Sequence, residues 1–83
     1  MKLPTVSGID VIKALSKKNF KIVGRKGSHV RLKKKLNTKT IIVIVPLHPE
    51  LKKGTLNAIL KTANISRKEF IKLLKDPNEL VAG

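Results

Sequence analysis

The chain has 83 residues, with 19 Lys and Arg against five Asp and Glu, a formal net charge of +14 and no cysteine. This length predicts one domain that buries about 60–65% of its unfolded surface and is held by roughly 5 kcal/mol, which excludes a deep, elaborate cavity. Without cysteine there is no disulfide framework and no thiolate zinc site, and Asp10, Glu50, Glu69, Asp76 and Glu79 are too scattered for a two-metal phosphodiesterase pair. A charge this one-sided implies a polyanionic or acidic partner; the bland alternative is a solvated, lysine-rich surface. Phe20 and Phe70 are the only aromatic residues, too few for a single-strand binder that stacks bases on aromatic platforms. Met1 to Thr5 lack the apolar core of a signal peptide, and no apolar run is long enough to span a bilayer. The expectation is a cytoplasmic protein with no membrane partner.

The first helix starts at Val6-Ser7-Gly8-Ile9-Asp10-Val11. Ser7 is the N-cap, Asp10 completes a capping box, and Val6 with Val11 forms a hydrophobic staple. Val11, Ile12 and Leu15 make the apolar stripe; Lys13, Ser16 and Lys17 are expected in water. Asn19, which tolerates a left-handed backbone, stops the helix. Phe20 to Val23 reads as a strand with Phe20 and Ile22 inward. Gly24 to Ser28 reads as a turn, Ser28 to about Lys35 as a second strand, and Leu36-Asn37-Thr38-Lys39 as a hairpin turn. Thr40 to Val45 is β-branched throughout, a strand that Pro46 ends. Its lack of alternation suggests a central position or a covered face.

Leu47 to Lys53 is a loop. Gly54-Thr55 opens a second helix with Leu56, Ile59, Leu60 and Ala63 on one side, closed by Asn64. Ser66 and Glu69 repeat the capping-box pattern, with Ile65 and Phe70 as the staple and Ile71 and Leu74 continuing the stripe. Asp76-Pro77 stops this third helix, and the last residues are expected to fray. The order is helix, three strands, helix, short helix. Short turns make the strands antiparallel, and helices on one face give a two-layer α+β domain whose other face is open.

Function is placed on Gly24 to Lys35. In a strand from Ser28, His29, Arg31 and Lys33 share one face while Val30 and Leu32 point to the core. A proton-exchanging imidazole then sits at the rim of a cationic ridge, beside Arg25-Lys26 and Lys33-Lys34-Lys35. That suits phosphodiester binding with proton transfer, although a solvated histidine on a solvated hairpin is the plain alternative. His48, between Leu47 and Pro49, is either a structural hydrogen-bonding residue or a substrate contact. Lys52-Lys53 with Gly54-Thr55 either presents a helix N-terminus to phosphate or is only a helix start.

Gly27-Ser28-His29, Val45-Pro46-Leu47-His48, Gly54-Thr55-Leu56, Ile59-Leu60-Lys61 and Ile65-Ser66-Arg67-Lys68-Glu69-Phe70 occur in an order that resembles the HicA-type toxins. The resemblance runs from about Thr5 to Lys75. It implies one HicA-like domain over residues 1–83, with an ordered core of about 5–76 and a fold like a double-stranded-RNA-binding domain. It implies ribosome-independent cleavage of mRNA, silenced by a HicB-like antitoxin protein; no cofactor is expected, and the scarcity of paired carboxylates points to a metal-independent step. The family's catalytic histidine falls on His29; Arg25, Lys26, Ser28, Arg31, Lys33 and His48 are its expected substrate contacts. Asn19 and Asn64 stand where the family often has glycine, and both tolerate positive φ. Two alternatives stay open: a non-catalytic double-stranded-RNA-binding module of the same fold, and a protein whose basic face meets only an acidic partner.

Overall fold

Ser7 lies in extended backbone, its hydroxyl accepts from the Asp10 amide, and the Asp10 carboxylate accepts from the Ser7 amide. That reciprocal cap starts α1, Gly8–Ser16. The computed structural model describes residues 5–75. The expected stop at Asp76-Pro77, the fraying beyond it and the reading of Met1 to Pro4 lie outside the described residues. The elements continue as β1 Lys21–Lys26, β2 His29–Lys35, β3 Thr40–Pro46, α2 Lys53–Ala63 and α3 Arg67–Lys75. The strands form one antiparallel sheet in the order β1-β2-β3, so the predicted α+β architecture holds.

Asn19 and Asn64 take the left-handed backbone expected of them, at φ 70 and 60. α1 and α2 pack on β3, and α3 packs on α1 and α2. The core between the layers joins Val6, Val11 and Leu15 to Leu32, Val43, Val45, Leu56, Leu60 and Phe70. Phe70, fully buried, enters from the third helix. Both staples close as expected, since Val6, Val11, Ile65 and Phe70 are all buried. Each buried side chain of this size contributes about 1.5–3 kcal/mol, so a small set of apolar residues holds the two layers together.

Several local expectations are corrected. The first strand runs on through Gly24 and Arg25 to Lys26, leaving only Gly27 and Ser28 as the turn, with Gly27 at φ +59. The register shifts between Ile22 and Gly24, a β-bulge that lets the strand absorb the glycine instead of breaking at it. Ile22 faces the helix side, opposite buried Leu32, but is not buried: it is 58% exposed, because the helices lean on β3 and leave the β1 edge uncovered. The third strand is an edge, so the covered-face alternative holds and the central one does not, and its burial alternates. Val43 and Val45 are buried, while Ile42 and Ile44 are 50% and 51% exposed. A run of like β-branched residues hides its own period; pairing with the alternating β2 sets its faces.

Two charged side chains are also placed differently. Lys17 does not face water: its Nζ donates to the Leu73 carbonyl of α3. Ser66 caps α3 through the Glu69 amide, but the Glu69 carboxylate turns to Lys18 Nζ at 2.8 Å instead of closing the capping box. Both contacts fasten α1 to α3. The second helix begins at Lys53, one residue early, and Lys52 provides no side-chain cap.

One junction fixes the end of the sheet next to His29. The Gly8 amide donates to the His48 carbonyl at 2.9 Å, and the Leu51 amide to the Val6 carbonyl at 2.8 Å. The Leu47 amide donates to the Ser28 carbonyl at 2.6 Å. The loop from Leu47 to Leu51 is thereby tied both to the start of α1 and to the residue preceding His29.

Candidate functional site

The period-two pattern of β2 sorts its side chains as predicted. Val30 and Leu32 are buried, and His29, Arg31 and Lys33 stand exposed on the face away from the helices. Side chains directly opposite in an antiparallel pair share a face, so the pairing identifies the neighbours. His29 lies between Lys26 of β1 and Pro46 of β3, Arg31 between Gly24 and Ile44, and Lys33 between Lys21 and Ile42. Glycine opposite Arg31 leaves room above β1. An open depression forms there, lined by Gly24, Arg25, Lys26, His29, Arg31 and Ile44.

Four of the predicted residues therefore meet around one depression: Arg25, Lys26, His29 and Arg31. Arg25 is tied to the turn by its Nε, which donates to the Gly27 carbonyl at 3.0 Å. Lys33 lies further along the ridge, about 14 Å of strand from His29, with Lys21 opposite it. Ser28 is exposed in the turn, its carbonyl taken by Leu47. His48 is exposed outside the depression, in the loop that leaves the same end of β3. Its main chain makes the tie to Gly8; its side chain is open to solvent.

Lys21 and Ile44 were missed as members of this face. The bulge displaces the β1 register by one residue, and no local pattern announces a bulge beyond the glycine itself. The strands carry no acid at all. Of the described acids, Asp10 is in the α1 cap, Glu69 is bound to Lys18 and Glu50 is in the loop after β3. Among the described residues the field over the open face is cationic, and the imidazole sits inside it. Among the described residues no three His, Asp or Glu side chains gather as a metal site, and no helix is long and apolar enough to cross a membrane.

This arrangement can hold a phosphodiester on Lys26 and Arg31 and bring one proton-exchanging group to it, while Arg25, opposite Val30, stands at the rim. A family model described as the HicA toxin of bacterial toxin-antitoxin systems matches residues 8–65, from α1 through α2, a span that includes every site residue named above. No curated protein matches the chain.

Proposed function

The chain belongs to the HicA toxin family of bacterial toxin–antitoxin systems, and from that premise we propose that it is a cytoplasmic endoribonuclease that cleaves mRNA with His29 as the catalytic acid or base. The observation that carries this reading is the position of His29 on an acid-free sheet face, between Lys26 and the Arg31 depression. RNA brings its own nucleophile. In the proposed step the 2′-oxygen attacks the adjacent phosphorus and gives its proton to His29, and the bond to the 5′-oxygen breaks. Water protonates the leaving oxygen, so the products are a 2′,3′-cyclic phosphate and a 5′-hydroxyl. Lys26 and Arg31 hold the non-bridging oxygens, where charge increases in the transition state. Ser28, Lys33 and His48 contribute contacts along the strand, and the phosphates supply most of the affinity.

A single 2′-deoxy substitution at a mapped cleavage site is expected to stop cleavage there and leave binding nearly unchanged. Mass spectrometry should find the 5′ fragment ending in a cyclic phosphate or its hydrolysis product. A bare 3′-hydroxyl would mean that water attacks directly. Because His29, the cations and water account for the whole step, cleavage should proceed at the same rate in excess chelator. Activity that vanished with chelator and returned with magnesium would remove the metal-independent mechanism.

Silencing is proposed to come from a HicB-like antitoxin that covers His29 and sets acidic groups against Arg25, Lys26, Arg31 and Lys33. One observation favours a second reading, a non-catalytic double-stranded-RNA-binding module: the depression holds a single imidazole and no partner acid. Salt-sensitive RNA binding with no cleavage would select it.

A further inference from the structure

The free edge of β3 is prepared for another strand. The bond from the Leu47 amide to the Ser28 carbonyl sets the parity of the β2–β3 ladder. Val30–Val45, Leu32–Val43 and Lys34–Ile41 are the hydrogen-bonded pairs, and Ile44 and Ile42 fall in the pairs between them. The N–H and C=O groups of Ile42 and Ile44 therefore point out of the sheet, away from β2. Among the described residues neither meets a hydrogen-bonding partner outside the sheet. At the Pro46 end the edge is closed. Pro46 has no N–H to leave unpaired, and Gly8 packs against its carbonyl.

Sheet edges are normally blunted by charge, proline or a bulge. The β1 edge has a bulge at Val23-Gly24 together with Lys21, Arg25 and Lys26. The β3 edge has none of these between Thr40 and Val45, and both outward isoleucines are half exposed. We propose that this edge takes an extended, acidic segment of a partner protein as a fourth strand, an inference that rests on the reading above in which an antitoxin protein binds this face.

Charge selects the occupant. Pairing β3 with β3 of a second copy would bring together two chains of formal charge +14. A peptide backbone offers donors and acceptors alternating at strand spacing, which a phosphate backbone does not. Arg31 and Lys33 stand directly across from Ile44 and Ile42 on the open face. A fourth strand lies about 10 Å from β2, so its glutamates can meet these cations while its apolar side chains cover the isoleucines.

Amide hydrogen exchange on the full chain tests this. The probe is a nine-residue peptide, Val-Thr-Val-Thr-Val with two glutamates at each end; a lysine-ended version and an RNA dodecamer are the comparisons. In the free chain the Ile42 and Ile44 amides should exchange at least about 100-fold faster than those of Val43 and Val45. The glutamate peptide should slow them at least tenfold, and neither comparison should do so. The inference fails if these amides are already slow in the free chain, as a β3-paired dimer of doubled mass would make them. It fails equally if RNA or the lysine peptide protects them as well, or if the glutamate peptide leaves them fast. Unprotected amides in a chain that an antitoxin silences would remove the edge alone; protected amides in a chain that no antitoxin silences would remove the antitoxin reading alone.

Discussion

Substituting His29→Ala is expected to lower RNA cleavage by about 10²–10⁴-fold, the range typical of a positioned general acid or base. The thermal transition should move by no more than a few degrees. His29 is exposed, its side chain makes no hydrogen bond among the described residues, and the ladder pairing it to Lys26 and Pro46 uses only main-chain atoms and strand geometry. Surface substitutions of this kind stay within about 0.5 kcal/mol. Cellular toxicity should fall with the rate. His48→Ala provides the contrast: its tie to Gly8 is made by the main chain and survives the substitution, so its effect should be limited to substrate affinity. The measurements are cleavage of a labelled mRNA at matched protein concentration and a melting curve for each variant. A His29→Ala protein that cleaves at the unsubstituted rate would take His29 out of the mechanism. One that has lost activity only because it has unfolded would show it in the melting curve.

Gly8→Ala should be the most damaging small substitution outside the core. A Cβ at Gly8 would lie 2.0 Å from the Pro46 carbonyl oxygen and 3.1 Å from the Leu47 Cα, all main-chain atoms that cannot rotate away. Helix propensity works in the opposite direction, favouring alanine by at most about 1 kcal/mol. The steric conflict wins, because relief requires α1 to move off β3 and breaks the bond from Gly8 to His48. We expect a loss of about 3 kcal/mol or more, a large part of the roughly 5 kcal/mol available to a chain of this size. At about 4–8 °C per kcal/mol for a domain this small, the midpoint should fall by more than about 10 °C. Gly54→Ala is the control, since its Cβ would meet nothing within 4 Å. A Gly8→Ala protein that melts at or above the unsubstituted midpoint would show that the α1–β3 junction is looser than described.

Features that depend on neighbours in the chain were legible in the sequence. The Ser7–Asp10 box, the two staples, the left-handed Asn19 and Asn64, and the alternation of His29-Val30-Arg31-Leu32-Lys33 all follow from contacts within about five residues. His29, Arg31 and Lys33 were therefore placed on one face, because a strand has no other way to orient them. The resemblance of spaced motifs to the HicA toxins agrees with the family match over residues 8–65.

Whatever depends on which strand meets which was decided by the tertiary structure. Lys26 became the neighbour of His29, and Lys33 the neighbour of Lys21, through a bulge that shifts the register by one residue. Ile22 and Ile44 are chemically the same kind of residue as the buried Val43, and composition cannot tell them apart. They are exposed because the helices cover β3 on one side only and pack on β3 far more than on β1. The same holds for Glu69, whose local partner was Ser66 and whose actual partner is Lys18. The Ser66 amide and a cation brought beside the carboxylate by helix packing compete as donors for the same oxygens. The charged pair wins because an ionised donor makes the stronger hydrogen bond, and only the packing of α3 on α1 brings that donor within reach.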